Sequence, residues 1–148
     1  NEIMTNLEGL LKQEQYKKIK FKFSKTKHLL IKASINGILG DFILDTGAST
    51  TCIDFSGIDF FKITAQISDT KASGAGAVGM ETQVSKNNLI KLGSWKTVDL
   101  NLVIFDLSHV NSALTDYKVK PVHGIIGADI LEKGFAVIDY KNQLLFLK

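Results

Sequence analysis

The sequence has little cysteine, no long apolar run and no block of like charge. Its single cysteine, Cys52, excludes an intrachain disulfide and a cysteine-based zinc site, because both need several thiols at defined spacings. No run of about 18 apolar residues is present to cross a membrane. The net charge of +3 is spread thinly, without a run of like charges that could follow a phosphate backbone. We therefore expect neither a membrane span in this chain nor a nucleic-acid partner.

The histidines give no metal pattern either. His28, His109 and His123 lie far apart, and none has a histidine or carboxylate partner at the short spacing of metal ligands. We therefore expect no metal ion and no other cofactor.

Length and composition predict one globular domain. The chain has 148 residues, of which 45% are hydrophobic and 22% charged, which is ordinary for a globular protein of this size. It opens on Asn1 without a basic start followed by an apolar segment, so a targeting segment is either absent or already removed. The compartment stays open, and export is one of the alternatives.

Residues 1–26 are predicted to form an extension of one helix and one strand. Thr5 and Glu8 have the spacing of a capping box and three leucines share one face, so we expect a helix over residues 5–18. From residue 19 the apolar period changes to two, which predicts a strand with one buried face.

Residues 27–148 are predicted to form a mainly β domain. Leu29–Ile35 and Ile38–Leu44 alternate as strands around Asn36-Gly37, a pair that accepts positive φ at both central positions of a tight hairpin. Trp95 is expected to be a packing aromatic. Further strands are expected near residues 50–53, 63–70, 80–90, 96–105, 135–139 and 144–147, with short helices within 106–117 and over 129–133, the last ended by Gly134 as a C-terminal cap.

The strongest chemical signal is the segment FILDTGAST at residues 42–50. Its apolar start predicts a central strand that carries Asp45 into the interior, where burial disfavours a carboxylate unless hydrogen bonds hold its charge. The Thr46 hydroxyl, and backbone N–H groups that Gly47 leaves free to turn, can supply such bonds. The same tripeptide also suits an ordinary strand-end turn, so its context must decide.

In that context the sequence resembles the retropepsin-like aspartic proteases, the single-lobe relatives of pepsin. Three elements agree in order and spacing between Leu29 and Lys148: the hairpin leading into Asp45–Ser49, a glycine-rich hairpin at residues 71–80 where the family has its flap, and Ile125-Ile126-Gly127 before a short helix. The resemblance implies a single-lobe acid-protease fold, a closed β-barrel with a flap hairpin and a short C-terminal helix. The N-terminal helix is extra to that pattern.

The resemblance further implies hydrolysis of a peptide or protein substrate by two aspartates that share a proton and a water. One carboxylate takes a proton from the attacking water, and the other acts as the acid at the carbonyl oxygen. The chain has one Asp-Thr-Gly. Asp139 is not a second one, since it lacks the Thr-Gly that follows the family's catalytic aspartate. A homodimer that places Asp45 of each chain on its twofold axis would supply the second carboxylate.

Carried over residue by residue, the resemblance makes Asp45 the catalytic acid and base. Thr46 would lock the two active-site loops together, and Gly47 would contact the substrate backbone. The remaining substrate-binding residues would be Ala48 and Ser49 in the subsite wall and Ser73, Gly74, Ala75 and Gly76 in the flap.

Two positions depart from the pattern of many viral members. Those members carry an acidic residue four positions after the catalytic aspartate and an arginine just after the late glycine, and the two pair to brace the dimer. Ser49 and Ala128 stand at these places here, so no charge is stranded but the brace is absent. The C-terminal strand can either complete an intersubunit sheet or pair within its own chain.

Three alternatives compete with the interpretation of the chain as an aspartic protease. GAGAVG at residues 74–79 has dinucleotide-fingerprint spacing, but that motif must open a helix, whereas residues 80–84 alternate as a strand. Cys52 follows two threonines in an apolar strand, which favours a buried structural thiol over a nucleophile. A catalytically inactive dimeric peptide-binding module would keep the fold but never pair Asp45 correctly.

Overall fold

The computed structural model describes residues 6–72 and 80–148, in which strands contain more residues than helices do. The helices are α1 (Leu7–Gln13), α2 (Ser56–Phe60), α3 (Ser108–Asp116) and α4 (Ala128–Lys133). The strands are β1 (Lys17–Phe23), β2 (Leu29–Ile35), β3 (Ile38–Leu44), β4 (Cys52–Ile53), β5 (Gln66–Ala72), β6 (Met80–Leu92), β7 (Trp95–Ile104), β8 (Gly124–Ile126), β9 (Val137–Asp139) and β10 (Leu144–Leu147). None of the helices in the described ranges has the length and apolar character needed to span a bilayer.

Six of the strands close into a barrel. They follow the order β6-β7-β4-β8-β3-β2, and the ring closes where β2 pairs with β6 at Ser34↔Lys91 and Ile35↔Ile90. β5 extends the sheet beyond β6, while β1, β10 and β9 extend it beyond β2. This arrangement confirms the mainly β, closed-barrel fold with a short C-terminal helix and an extra N-terminal helix.

The hairpin of β2 and β3 has the register that its sequence predicts. Asn36 and Gly37 form the turn with φ of 50° and 89°, the left-handed values that a two-residue hairpin needs at both central positions. Ile35 pairs with Ile38 next to that turn and Leu29 pairs with Leu44 at the far end, so the hairpin ends beside Asp45. The local turn chemistry therefore determines where β3 delivers the motif.

The barrel is filled by one apolar core. Phe42, Ile53 and Ile126 are fully buried within it, and the rings of Phe42 and Phe61 stack with their centroids 6.0 Å apart. Trp95 is also buried, and its indole N–H donates to the carbonyl oxygen of Lys148 at 3.1 Å, which confirms its role as a packing aromatic.

The N-terminal helix is shorter than predicted. It ends at Gln13 rather than at residue 18, because Gln15 turns into the left-handed region at φ 69° and β1 begins at Lys17. Asn6 caps the helix by accepting a hydrogen bond from the backbone N–H of Gly9 at 2.8 Å. The predicted cap, Thr5, lies outside the described residues.

Helix α4 ends at Lys133 with Gly134 as its C-cap, as the sequence predicts. The left-handed residue is the next one, Phe135, with φ of 48°, whereas Gly134 has φ of −93°. Gly134 is needed for close packing, since a Cβ there would lie 2.8 Å from Leu147 Cδ2. The following strand β10 pairs with both β1 and β9 of its own chain, which resolves the alternative that the sequence left open.

A short helix, α2, was not predicted. The turn that leads into this helix begins at Asp54. The Asp54 carboxylate accepts hydrogen bonds from the backbone N–H and the hydroxyl of Ser56 at 3.0 and 2.6 Å. Aspartate two residues before serine is the sequence signal of such a turn.

Candidate active site

Parallel pairing of β3 with β8 positions the Asp-Thr-Gly loop. Leu44 pairs with Ile126, and one residue further on the backbone N–H of Asp45 donates to the carbonyl oxygen of Ile126 at 2.9 Å. The loop therefore leaves the barrel at the same edge as the Ile-Ile-Gly segment. Both were singled out from the sequence, and the fold brings them together.

Asp45 lies at the surface of the single chain. The end of β3, from Phe42 to Leu44, is buried, whereas Asp45, Thr46 and Gly47 are exposed. The prediction that the strand carries Asp45 into the interior is wrong for one chain, because β3 stops being covered where the loop begins. The backbone N–H of Gly47 donates to Asp45 Oδ1 at 2.8 Å, as expected from the motif.

Ala48 and Ser49 continue the loop in different environments. Ala48 is half-buried, while Ser49 is exposed. Ala48 packs against a second, smaller apolar cluster outside the main core, which includes Cys52, Leu114 and Val122. The carbonyl oxygen of Ala48 accepts from the backbone N–H of Ala128 at 2.7 Å. An uncharged backbone contact thus links the Asp-Thr-Gly loop to the start of α4, near the two positions where viral members carry a charged pair.

The buried Thr51 and the half-buried Asp129 form a link that the sequence analysis missed. Asp129 accepts from the Thr51 hydroxyl at 2.7 Å and from its backbone N–H at 2.9 Å. The same hydroxyl oxygen accepts from the backbone N–H of Gly127 at 3.0 Å, and the backbone N–H of Ile130 donates to Asp129 at 2.8 Å. The threonine six residues after Asp45 and the aspartate two residues after Gly127 were the available signals.

Gly127 allows this link by close approach of two backbones. A Cβ at this position would lie 2.8 Å from the carbonyl oxygens of both Ala48 and Thr50. Any side chain would push the turn after β8 away from the Asp-Thr-Gly loop.

Cys52 is a structural thiol. It is 3% exposed, and burial raises the pKa of the thiol to about 12. A thiolate at neutral pH is therefore disfavoured, which confirms the buried-thiol interpretation and argues against a nucleophile.

Asp54 ties the chain after β4 to the chain after β7. Besides its bonds to Ser56, its carboxylate accepts from the backbone N–H of Leu107 at 2.8 Å. Burial raises the pKa of this carboxyl, but the hydrogen bonds outweigh burial and leave the pKa below its ordinary value of 3.8.

The predicted flap residues Ser73, Gly74, Ala75 and Gly76 lie outside the described residues, as does the rest of GAGAVG. The described stem of that hairpin pairs β5 with β6 at Lys71↔Glu81 and Ala72↔Met80. Within residues 6–72 and 80–148, no three or more histidine, cysteine, aspartate or glutamate side chains are grouped as metal ligands would be.

A closed six-strand barrel, with an Asp-Thr-Gly loop beside an Ile-Ile-Gly turn, defines the class of single-lobe acid proteases. The family model described as aspartyl protease matches residues 31–130, and the chain belongs to this family. No curated protein matches the chain in sequence.

Solved structures of retropepsin-like and retroviral proteases share the fold of this chain. A retropepsin-like aspartic protease from Rickettsia conorii superposes with a TM-score of 0.58 at 14% identity, covering 89% of each chain. The EIAV protease complexed with the inhibitor HBY-793 gives 0.55 at 22% identity, covering 75% of this chain and 91% of that one. The retroviral protease-like domain of Ddi1 from Leishmania major gives 0.53 at 16% identity, covering 82% and 88%.

Proposed function

We propose that the chain is an aspartic endopeptidase that acts as a homodimer, with a water activated between Asp45 of one copy and Asp45 of a second. The observation that carries the proposal is an exposed Asp45 at the end of a buried strand, in the motif of its family. The loop is held in place by its own chain, yet its carboxylate is open to a partner. Since the chain has one Asp-Thr-Gly, a second copy is the simplest source of the second carboxylate.

The chemistry follows from two carboxylates that share one proton. The ionised Asp45 takes a proton from the water while the water oxygen attacks the scissile carbonyl carbon, and the protonated Asp45 gives its proton to the carbonyl oxygen. The tetrahedral intermediate then collapses: the Asp45 that took the water's proton gives it to the leaving nitrogen, the C–N bond breaks, and the other Asp45 carboxylate takes a proton from one hydroxyl of the intermediate. No covalent link to the enzyme forms.

The neighbouring residues have supporting roles in this proposal. Thr46 would bond across the dimer axis, Gly47 would present its backbone to an extended peptide, and Ala48 and Ser49 would begin the wall of a subsite. Ser73, Gly74, Ala75 and Gly76 would cover the peptide from the other side and add strand-like hydrogen bonds. We assign residues 27–148 to this catalytic unit and residues 1–26 to an extension.

The same fold without catalysis is the second candidate. Ser49 and Ala128 lack the charged brace of many viral members, which favours a dimeric peptide-binding module in which the two Asp45 side chains are not correctly paired. That module would bind extended peptides and cut none.

The deciding experiment combines light scattering with cleavage of an unfolded protein between pH 3 and 7. We expect a dimeric wild type that cleaves, an Asp45→Asn variant that does not, and an Asp116→Asn variant that behaves as the wild type. Asp116 is a suitable control because it is an exposed aspartate at the end of α3. A dimer that binds peptides without cutting them, or a monomer that cuts nothing at high concentration, would reject the protease proposal.

Mixing the two proteins tests whether each active site uses two chains. With a ninefold excess of Asp45→Asn chains, most wild-type chains are paired with an inactive one, and activity per wild-type chain should fall about tenfold. Unchanged activity per wild-type chain would show that a single chain carries the site.

A further inference from the structure

A cavity of about 380 Å³ lies on the outer face of β1, β2 and β3. Its walls follow from strand register, because Lys22 pairs with Leu30 and Lys32 pairs with Asp41. Directly paired residues point to the same side of a sheet, as do residues two apart on one strand, so Lys20 belongs to this face as well. The segment at residues 120–122 closes the other side of the cavity.

The floor of the cavity is apolar. Leu30 and Val122 line it, and both pack into the smaller apolar cluster beneath the face. Pro121 adds a further apolar wall. A volume of this size is at the lower end of the range for small-molecule pockets, which bury most of one ligand rather than accept a folded partner.

The rim of the cavity is cationic. Four lysines, Lys20, Lys22, Lys32 and Lys120, surround one carboxylate, Asp41. Asp41 is bonded to Lys32 and lies 3.1 Å from the ammonium nitrogen of Lys120, so these two cations are already paired.

Lys20 and Lys22 are left with their charge available. Neither has an ion pair with any residue that the structure describes, whereas the neighbouring Lys18 is paired with Glu8 at 2.8 Å. Two free cations two residues apart above an apolar floor match a molecule with one anionic group and an apolar body.

We propose that this cavity binds a small amphipathic carboxylate, of which a medium-chain fatty acid is the simplest example. The apolar chain would lie over Leu30 and Val122, and the carboxylate would bond to Lys20 and Lys22. The ion pairs of Asp41 keep Lys32 and Lys120 at the mouth and direct the ligand's charge towards β1. This site is independent of the proposed proteolysis.

An NMR titration tests the ligand chemistry, with decanoate as the probe and the methyl groups of Leu30 and Val122 as reporters. We expect saturable shifts at these methyls with a dissociation constant on the order of 1 mM. Decanol has the chain without the charge, and acetate has the charge without the chain. Each should bind at least about tenfold more weakly, since each loses one of the two contacts. Equal binding of decanol, or decanoate shifts confined to other residues, would overturn the proposal.

A matched pair of double variants tests the residues. Lys20→Gln with Lys22→Gln should weaken decanoate binding about tenfold, because it removes the two free charges. Lys86→Gln with Lys96→Gln removes the same charge from exposed strand positions outside the cavity and should leave binding unchanged. Equal affinity of the two double variants would reject the assignment. The Asp45→Asn variant should bind decanoate as the wild type does, so the outcome does not depend on catalysis.

Discussion

The hydroxyl of Thr51 donates to the carboxylate of Asp129 across 2.7 Å, although the two residues are 78 positions apart. Thr51 is fully buried and follows the Asp-Thr-Gly loop, while Asp129 lies in the first turn of α4. The contact joins the two segments that the family motif contains. It provides an internal connection near the two positions from which the charged brace of viral members is missing.

Replacing Thr51 by valine should destabilise the fold. Valine keeps the shape of the side chain but removes the hydroxyl, so Asp129 loses a donor and the backbone N–H of Gly127 loses an acceptor. Buried hydrogen bonds to a charged group contribute about 1.5–3 kcal/mol each, and we expect a loss of about 2–4 kcal/mol in urea unfolding. Thr51→Ser keeps the hydroxyl and should lose about 1 kcal/mol. Equal losses in the two variants would show that packing, not the hydrogen bonds, gives Thr51 its role.

Acid stability should depend on Asp54. Its pKa lies below 3.8 in the folded chain, so the unfolded chain binds this proton at higher pH than the folded chain does. The stabilisation is therefore complete above the ordinary pKa and is lost as pH falls through the lower, folded value. We expect the urea concentration at the unfolding midpoint of the wild type to decrease as the pH is lowered below about 4. The decrease should be less steep in Asp54→Asn. An acid limb of unchanged slope in Asp54→Asn would contradict this assignment.

Cys52 should resist alkylation in the folded protein. The thiol is buried and its pKa is raised to about 12, so both access and thiolate are lacking near neutral pH. We expect iodoacetamide to react at least about 10³-fold more slowly than in denaturant, because reaction waits for unfolding. Mass spectrometry of samples quenched over time measures this ratio. Rapid labelling without loss of structure would show that Cys52 is accessible.

Local sequence signals predicted the secondary structure correctly where it depends on residues that are close together in the sequence. The Asn36-Gly37 turn sets the β2–β3 register, and that register places Asp45 at a strand end. The signals were incomplete where distant segments meet. The sequence predicts Gly134 as the C-cap of α4, but it does not predict that Leu147 packs so closely that a Cβ at Gly134 would lie 2.8 Å from Leu147 Cδ2.

The site was predictable in its motif but not in its support. Asp45, Thr46 and Gly47 were singled out because their order is specific, and the segment around Ile126 because its pattern follows the same family. The link from Thr51 to Asp129 depends on β4 and α4 meeting in space, which no spacing in the sequence states. The exposure of Asp45 likewise depends on which distant segments of the chain pack over the end of β3, and the motif does not state this.

Under the proposed function, Gly127→Ala should lower the catalytic rate as well as the free energy of unfolding. The new Cβ would lie 2.8 Å from two backbone carbonyl oxygens, those of Ala48 and Thr50, and must displace the loop that carries Asp45. We expect a loss of about 1–3 kcal/mol in stability and a lower kcat per folded chain on a peptide substrate.

Gly37→Ala is the matched control for this change. It also strains the backbone, because Gly37 has φ of 89°, but nothing lies within 4 Å of its Cβ position and it is at the far end of β3 from Asp45. We expect it to cost about 1 kcal/mol and to leave kcat per folded chain unchanged, since the loop that carries Asp45 does not move. If both variants kept the wild-type kcat, close packing at Gly127 would serve folding alone; if both lost it equally, general loosening of the barrel would be the cause.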